Sequence, residues 1–119
     1  MLMLKRVYEP ASDDDGTRIL VDRLWPRGLS RDKAHIDIWL KDIAPSDELR
    51  KEFHGHPDQW EAFCSAYAGE LAEPRAQAAV DELRQHLAQK PVTLLYAARD
   101  ERHNNAVALK KWLEQPQQA

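Results

Sequence analysis

The segment V-T-L-L-Y-A-A, residues Val92 to Ala98, is apolar nearly throughout and directly follows Pro91. A second run, T-R-I-L-V-D-R-L, spans Thr17 to Leu24 and centres on Ile19-Leu20-Val21. Continuous apolar runs of this length are typical of strands covered on both faces, as in α/β sheets. Their β-branched and aromatic residues favour strand over buried helix. The two segments therefore predict strands of a mainly parallel central sheet.

Two weaker strand candidates complete the predicted sheet. Met3 to Tyr8 is short and mixed, whereas the alternation of Ile36, Ile38 and Leu40 is typical of a short edge strand. The acidic segment Glu9–Gly16 separates the first two strands. Its Asp-Gly pair favours a hairpin, but parallel pairing would need a crossover of about a dozen residues. The direction in which these two strands pair is left open.

Four helices are predicted from capping residues and from apolar side chains spaced three or four apart. The first follows the N-cap Ser46 and ends at His54-Gly55, where glycine is the expected C-cap. The second begins at Pro57-Asp58 and the third at Pro74, and the fourth spans about Asn104 to Glu114. Helices alternating with strands predict an α/β domain in which helices flank the sheet.

The chain has 119 residues and a net charge of −3, which suits one compact domain, residues 1–114, with a polar tail over residues 115–119. The slightly acidic total provides no general attraction for nucleic acid or anionic membrane. Cys64 is the single cysteine and falls in the apolar stripe of the second helix, so we expect a buried, inert thiol. Lacking a signal-peptide core and any apolar run of about 20 residues, the sequence predicts a cytoplasmic protein with no membrane partner.

The densest set of chemically active side chains lies at the end of the second strand, in Val21-Asp22-Arg23-Leu24-Trp25-Pro26-Arg27-Gly28. Open α/β sheets bind ligands beyond the carboxyl ends of their strands. Arginine matches the oxygens of phosphate or carboxylate, and tryptophan offers a ring face. Arg23, Trp25 and Arg27 are therefore candidate ligand-binding residues. The structural alternative is that Asp22 pairs with an arginine while Trp25 plugs the end of the sheet.

A second candidate segment follows the strand that begins at Val92, where Tyr96, Arg99, Asn104 and Asn105 precede or begin the last helix. Backbone N–H groups at that helix terminus, together with Arg99, would suit an anion. The alternative is an ordinary loop in which Asn104 or Asp100 caps the helix. If the two strands are parallel neighbours, about 4.8 Å apart, both segments meet at one sheet edge and form a shared site.

Metal and cofactor sites are not predicted. His54 and His56 are two residues apart, but no third thiolate or imidazole stands at zinc-site spacing, and His54 is placed to bond the last carbonyls of its helix. The absence of a Walker loop, a dinucleotide-binding glycine motif and a nucleophile elbow argues against common NTPases, dinucleotide enzymes and serine hydrolases. His103 and the charged run Glu48–Glu52 are expected on the solvent surface.

Several motifs together resemble those of domain-of-unknown-function family 488, in its short bacterial branch. The resemblance rests on Val21–Gly28, Leu49–Gly55 and Leu94–Ala98, with Lys5–Tyr8 before them, and it extends to about Leu113. It implies a compact α/β domain with a mainly parallel sheet, and it implies no established reaction. Longer members carry a cysteine at the position of Tyr96 and Cys-His-Arg at Asn104–Ala106, so a thiol-based role does not carry over to this sequence.

The leading hypothesis is a domain that binds an anionic small molecule, phosphorylated or carboxylated. Arg23, Arg27 and Arg99 would neutralise its charge, Trp25 and Tyr96 would line the pocket, and Asn104 and Asn105 would orient polar groups. If the protein is an enzyme, Asp22 is the first acid/base candidate and His54 the second. The rival hypothesis is a regulatory module that binds nucleic acid or protein through the locally basic stretch Arg18–Lys33, in which Trp25 is interleaved.

Overall fold

The sheet at the middle of the fold consists of parallel strands. The structure, a computed structural model, describes residues 2–54 and 56–115, and within them the strands are β1 (Leu2–Arg6), β2 (Thr17–Leu20), β3 (Ile38–Trp39) and β4 (Val92–Tyr96). Their order is β1-β4-β2-β3, with β3 at one edge as the alternation predicted. The predicted α/β fold class with a parallel sheet is confirmed.

Three of the five helices in the described residues begin at a capping side chain, which is Ser30, Ser46 or Asn104. The five helices in this part of the chain are α1 (Arg31–Ala34), α2 (Asp47–Phe53), α3 (Trp60–Leu71), α4 (Pro74–Gln89) and α5 (Asn105–Glu114). The Ser46 hydroxyl accepts a hydrogen bond from the backbone N–H of Leu49 at 3.1 Å, and the Asn104 side chain accepts one from that of Val107 at 2.9 Å. These two bonds satisfy N–H groups that have no partner within their helices.

The two faces of the sheet are covered in different ways. Side chains of Ile19, Val21, Val92 and Leu94 pack with the apolar faces of α2, α3, α4 and α5 in the larger core cluster. The opposite face, which includes Leu20 and Leu95, is covered by loop residues rather than by long helices. These residues are Trp25, Leu29, Ile36 and Ala97 from loops, together with Trp39 from β3. The loop that carries the first candidate motif is thus held against the sheet.

Neither the hairpin that Asp15-Gly16 favours nor a direct parallel pairing of the first two strands forms, because β4 lies between β1 and β2. The acidic segment instead contains a 3-10 turn, Asp13–Asp15, whose first N–H groups are capped by Ser12. Gly16 then adopts φ 65°, and a methyl group there would overlap the carbonyl of Pro91. The N–H of Thr17 donates to that same carbonyl at 2.9 Å, which aligns β2 beside β4.

The strands end earlier than the sequence predicts. We expected β2 to reach Leu24 and β4 to reach Ala98, but they end at Leu20 and Tyr96. Val21 is fully buried and its N–H still donates to the carbonyl of Leu95 at 3.2 Å. After this bond, the backbone N–H of Ala97 donates to the Asp22 side-chain carboxylate instead of to a backbone carbonyl, so the backbone hydrogen bonds between β2 and β4 end at this point. Asp22 and Arg23 were expected to be the last residues of the central strand β2, but they lie just after it.

Three smaller predictions fall on helices and termini. Gly55, the expected C-cap of α2, lies outside the described residues, and His54 occupies the C-cap position. Cys64 is half-buried rather than buried, because it faces a shallow groove between α3 and α5; burial raises the pKa of its thiol. Of the predicted tail, Gln115 is exposed and residues 116–119 lie outside the described part. No helix in the described ranges is long and apolar enough to cross a membrane.

Candidate functional site

A cleft of about 710 Å³ opens at the carboxyl edge of the sheet. Its walls are the loop that follows β2, the loop between β4 and α5, and the end of α2 with the segment before it. Every candidate site residue from the sequence lines this cleft except Tyr96, and they are Asp22, Arg23, Trp25, Arg27, His54, Arg99, Asn104 and Asn105. The expectation that the two motifs meet at one sheet edge is confirmed, since β2 and β4 are parallel neighbours.

Asp22 joins the walls of the cleft. One carboxylate oxygen accepts a hydrogen bond from the backbone N–H of Ala97 at 2.9 Å, and the other accepts one from the Asn105 side-chain amide at 3.0 Å. The same amide nitrogen donates to the carbonyl of Val21 at 3.0 Å, and the Asp22 carbonyl accepts from the Trp39 indole at 2.7 Å. The protein's own carboxylate thus occupies a place beside the first residue of α5, where the sequence suggested a bound anion.

Burial raises the pKa of Asp22 above its ordinary value. The hydrogen bonds from Asn105 and Ala97, and the nearby positive charge of Arg50, act in the opposite direction without cancelling the effect of burial. A group with a raised pKa in a cleft is a common feature of functional sites, although structural networks produce the same shift. Here both carboxylate oxygens have partners inside the protein, which suits a positioning role.

Among the residues that the structure describes, four arginines line the cleft, at positions 23, 27, 50 and 99, together with two carboxylates, Asp22 and Asp100. The Arg23 Nε lies 3.6 Å from an Asp47 carboxylate oxygen, and the Arg50 guanidinium lies 3.4 Å from the same oxygen. One carboxylate is therefore shared between two guanidinium groups. The Arg23 Nε is buried and has no hydrogen-bond partner in the described residues. Positive charge at this wall exceeds the negative charge available to it.

Arg27 and Arg99 complete the cationic lining. Both side chains are exposed, and in residues 2–54 and 56–115 neither takes part in an ion pair. Their loops are nevertheless fixed by backbone contacts. The Tyr8 hydroxyl donates to the carbonyl of Arg27 at 3.0 Å, and the Arg6 guanidinium donates to the carbonyls of Ala97 and Ala98. The two exposed guanidinium groups are thus carried by well-anchored backbone.

His103 and Asp100 form a pair that the sequence reading missed. His103 was expected on the solvent surface, but it lines the cleft, with its Nδ1 3.1 Å from an Asp100 carboxylate oxygen and its ring edge-on to Trp60 at 5.2 Å. The other Asp100 oxygen accepts from the backbone N–H groups of Arg102 and His103, which lowers the pKa of Asp100. The Asp100 carboxylate therefore has its polar contacts within its own loop.

Trp25, Tyr96 and Asn104 are held mainly by structural contacts. The Trp25 indole N–H donates to the carbonyl of Leu29 at 2.6 Å, and its ring packs edge-on to Trp39 at 5.4 Å. Tyr96 is 3% exposed and belongs to the larger core cluster, so it does not reach the cleft. Asn104, which the sequence offered as either a ligand-orienting residue or a cap, is buried and caps α5.

The C-terminal end of α2 contributes residues that the sequence assigned elsewhere. Arg50 was expected in a solvated charged run, but it faces the cleft, and Phe53 lies beside it on the same wall. His54 is exposed at the cleft, and its backbone N–H donates to the carbonyl of Arg50. In the described residues no group of three or more His, Cys, Asp or Glu is arranged to hold a metal ion.

The basic stretch behind the rival hypothesis does not form one surface. Arg18 is 4% exposed, and its guanidinium donates to the Asp15 carboxylate at 2.6 Å at the other end of the sheet. Arg31 lies over the Trp25 ring, with 5.2 Å between the guanidinium carbon and the ring centroid. Of the basic residues in this stretch, only Arg23 and Arg27 line the concave cleft, with Trp25 between them.

These features define a small α/β domain with a ligand-sized cleft at the carboxyl edge of a parallel sheet. The family described as the inactive DUF488-N3 subclade matches residues 1–119, and the chain belongs to this family. It is 44% identical to the uncharacterized protein YeaO of Escherichia coli over 112 residues, and this aligned region covers 94% of the present chain and 96% of YeaO. It is 42% identical over 108 residues to the uncharacterized protein Rv3073c of Mycobacterium tuberculosis, with 91% and 89% covered. No solved structure matches the chain.

Proposed function

We propose that the cleft binds a small anionic molecule, phosphorylated or carboxylated, and that the protein acts by binding it rather than by catalysis. The observation that carries this proposal is the charge balance of the lining. In the described residues four arginines and two carboxylates line the cleft, and both carboxylates are already hydrogen-bonded within the protein, Asp22 to Ala97 and Asn105, and Asp100 to its own loop. Asp47, which lies outside the lining, pairs with Arg23 and Arg50, so three carboxylates stand against four guanidinium groups. An anion would restore the balance.

The chemistry of guanidinium groups supports an oxyanion as the occupant. Arginine presents a planar fork of N–H donors that matches two oxygens of a carboxylate or phosphate, and charge-assisted hydrogen bonds of this kind are the strong ones. The Arg23 side chain is 36% exposed although its Nε is buried, so the exposed part of this side chain is open to an acceptor in the cleft. A volume of about 710 Å³ suits a small molecule.

Binding without catalysis is supported by two points. Asp22, the first acid/base candidate, has a partner on each carboxylate oxygen and links the segments after β2 and β4 to α5. The description of the family as an inactive subclade agrees with binding that is not followed by a reaction. We therefore assign Asp22 a positioning role in this proposal, and we place the binding in the cytoplasm, because a single cysteine is typical of chains that fold under reducing conditions.

A matched pair of arginine variants tests the proposal. Arg23 and Arg75 each hold a carboxylate through Nε, at 3.6 Å and 3.5 Å, but only Arg23 lines the cleft. Thermal-shift and calorimetric titrations with inorganic phosphate, phenyl phosphate and phenylacetate are expected to show binding by the wild type. Arg23→Ala should weaken it about tenfold or more, as loss of one charge-assisted hydrogen bond implies, and should cost little stability.

The control and the refuting results are equally defined. Arg75→Ala removes the same charge and a similar ion pair, so it should leave the affinity for every probe unchanged. Equal loss of affinity in Arg23→Ala and Arg75→Ala would show that only net charge matters, and the cleft would not be the site. No binding of any probe at millimolar concentration would contradict the proposed function itself.

A further inference from the structure

The large apolar side chains that are exposed in the described part of the chain lie at one place. Among residues 2–54 and 56–115 only two large hydrophobic side chains are exposed, Tyr8 at 43% and Leu24 at 61%. Both line the cleft. Scattered exposed apolar residues are ordinary on a protein surface, but exposed ones that meet at a concave site indicate contact with something apolar.

The wall formed by α2 extends this apolar surface. Ala44 and Pro45 precede the helix and Phe53 is its last residue, and all three line the cleft. Because Ala44 and Pro45 are buried, Phe53 contributes most of the accessible apolar surface on this wall. Phe53 is half-buried and stacks on Phe63 with 4.6 Å between the ring centroids, so its position is fixed by the core behind it. The cleft therefore offers a rigid aromatic edge next to Arg50, which lies one helical turn earlier.

Cations and apolar groups alternate around the cleft. Leu24 stands between Arg23 and Trp25 in the loop after β2, and Pro26 precedes Arg27. In the neighbouring loop after β4, Ala97 and Ala98 precede Arg99. A bare inorganic anion would bond to guanidinium groups and leave the apolar surface in water. A ligand with an apolar body could cover that surface as well, and its affinity would rise with the area it removes from water.

We propose that the ligand of this cleft is an amphiphilic anion, in which an aromatic or comparable apolar body carries one phosphate or carboxylate group. This inference rests on the proposed function and narrows its ligand class. The anionic group binds the arginines, while the body lies against Leu24 and the Phe53 edge. Inorganic phosphate and short aliphatic anions are then weak ligands of the same site.

The experiment compares anions that differ only in their bodies. Calorimetric titrations use methyl phosphate against phenyl phosphate, and acetate against phenylacetate, with the full-length wild-type protein. In at least one of the two pairs the phenyl ligand should bind about tenfold more tightly, as burial of part of a ring implies. Leu24→Ser should reduce that ratio, whereas Leu24→Met, which keeps an apolar side chain, should preserve it.

The outcomes separate this inference from the proposed function. Equal affinities within both pairs would overturn the inference and leave anion binding intact. A phenyl preference that Leu24→Ser does not reduce would also overturn it, because the body would then lie elsewhere. Absence of binding by all four anions would contradict the proposed function instead. Because Leu24 is exposed, its serine variant is expected to fold, and an unchanged melting temperature checks this.

Discussion

Replacement of Asn105 by alanine removes the side chain that ties the first turn of α5 to the end of β2. Its amide nitrogen donates two hydrogen bonds of 3.0 Å, one to the carbonyl of Val21 and one to the Asp22 carboxylate. Val21 is fully buried, so its carbonyl has little access to a replacement donor, whereas Asp22 faces the cleft, where water can enter. The two losses are therefore unequal.

The expected cost follows from these two bonds. Leaving a buried acceptor without a partner costs about 1–3 kcal/mol, and a bond to a charged group is worth a similar amount before water replaces it. Allowing for water at the carboxylate, we expect Asn105→Ala to lower the free energy of unfolding by about 2 kcal/mol. For a chain of this length that corresponds to a decrease in Tm of about 8 °C.

Urea denaturation at neutral pH measures the loss of unfolding free energy in Asn105→Ala. The single variant Asp22→Ala and the double variant with both substitutions complete a double-mutant cycle. The pair should show a coupling of about 1 kcal/mol, because each side chain loses part of its role when the other is absent. Lys111→Ala, an exposed change on the same helix, should stay within about 0.5 kcal/mol of the wild type. A cost below 0.5 kcal/mol for Asn105→Ala, or zero coupling, would refute the reasoning.

Three further predictions concern the rest of the fold. Gly16→Ala should lower the free energy of unfolding by more than about 3 kcal/mol, because its methyl group would overlap the Pro91 carbonyl. Gly28 also has a positive φ, but no atom lies close to it, so Gly28→Ala should cost about 1 kcal/mol. Urea denaturation measures both costs. Tyr67→Phe should cost about 1 kcal/mol by the same assay, since the buried hydroxyl donates to the Ile43 carbonyl at 2.6 Å. Burial alone would raise the pKa of Asp15, but hydrogen bonds from Ser12, Lys5 and Arg18 lower that pKa overall. The ionised Asp15 carboxylate therefore stabilises the fold fully above the ordinary aspartate pKa, and this stabilisation is lost as the pH falls through the lowered pKa. Asp15→Asn should therefore be less stable than the wild type at neutral pH, and the difference should shrink in acid; a gap that stays constant from pH 7 to pH 2 would contradict this.

Much of the fold could be predicted from local sequence. The apolar runs around Ile19 and Leu94 identify β2 and β4 because strands covered on both faces need such runs. The caps of α2 and α5 follow from Ser46 and Asn104 for a local reason, since each side chain bonds a backbone N–H three residues ahead. The pairing of β1 was beyond local reasoning. The Asp15-Gly16 pair suits a hairpin, but β4, which lies far along the chain, inserts between β1 and β2 and brings Pro91 against Gly16.

The candidate site was predictable where it depends on strand ends and was missed where it depends on helix packing. Asp22 and Arg23 could be found because ligands bind where parallel strands end. Arg50 could not, because a charged residue on a short helix faces solvent or a neighbouring loop according to how that helix docks. His103 had one available signal, the Asp100 three residues before it, whose spacing permits the observed contact across a turn. Tyr96 was assigned to the site although its side chain packs into the core.

The measurement that tests anion binding in the cleft most directly is an NMR titration of the labelled protein with phenyl phosphate. Backbone amide signals and arginine Nε–H signals report each wall separately. We predict saturable shifts at Arg23, Arg50 and Arg99 and in the backbone from Ala97 to Asn105, with the signals of Arg75 unchanged. Shifts confined to the groove around Cys64, or to the exposed Arg31 and Lys41 side of the sheet, would contradict the account.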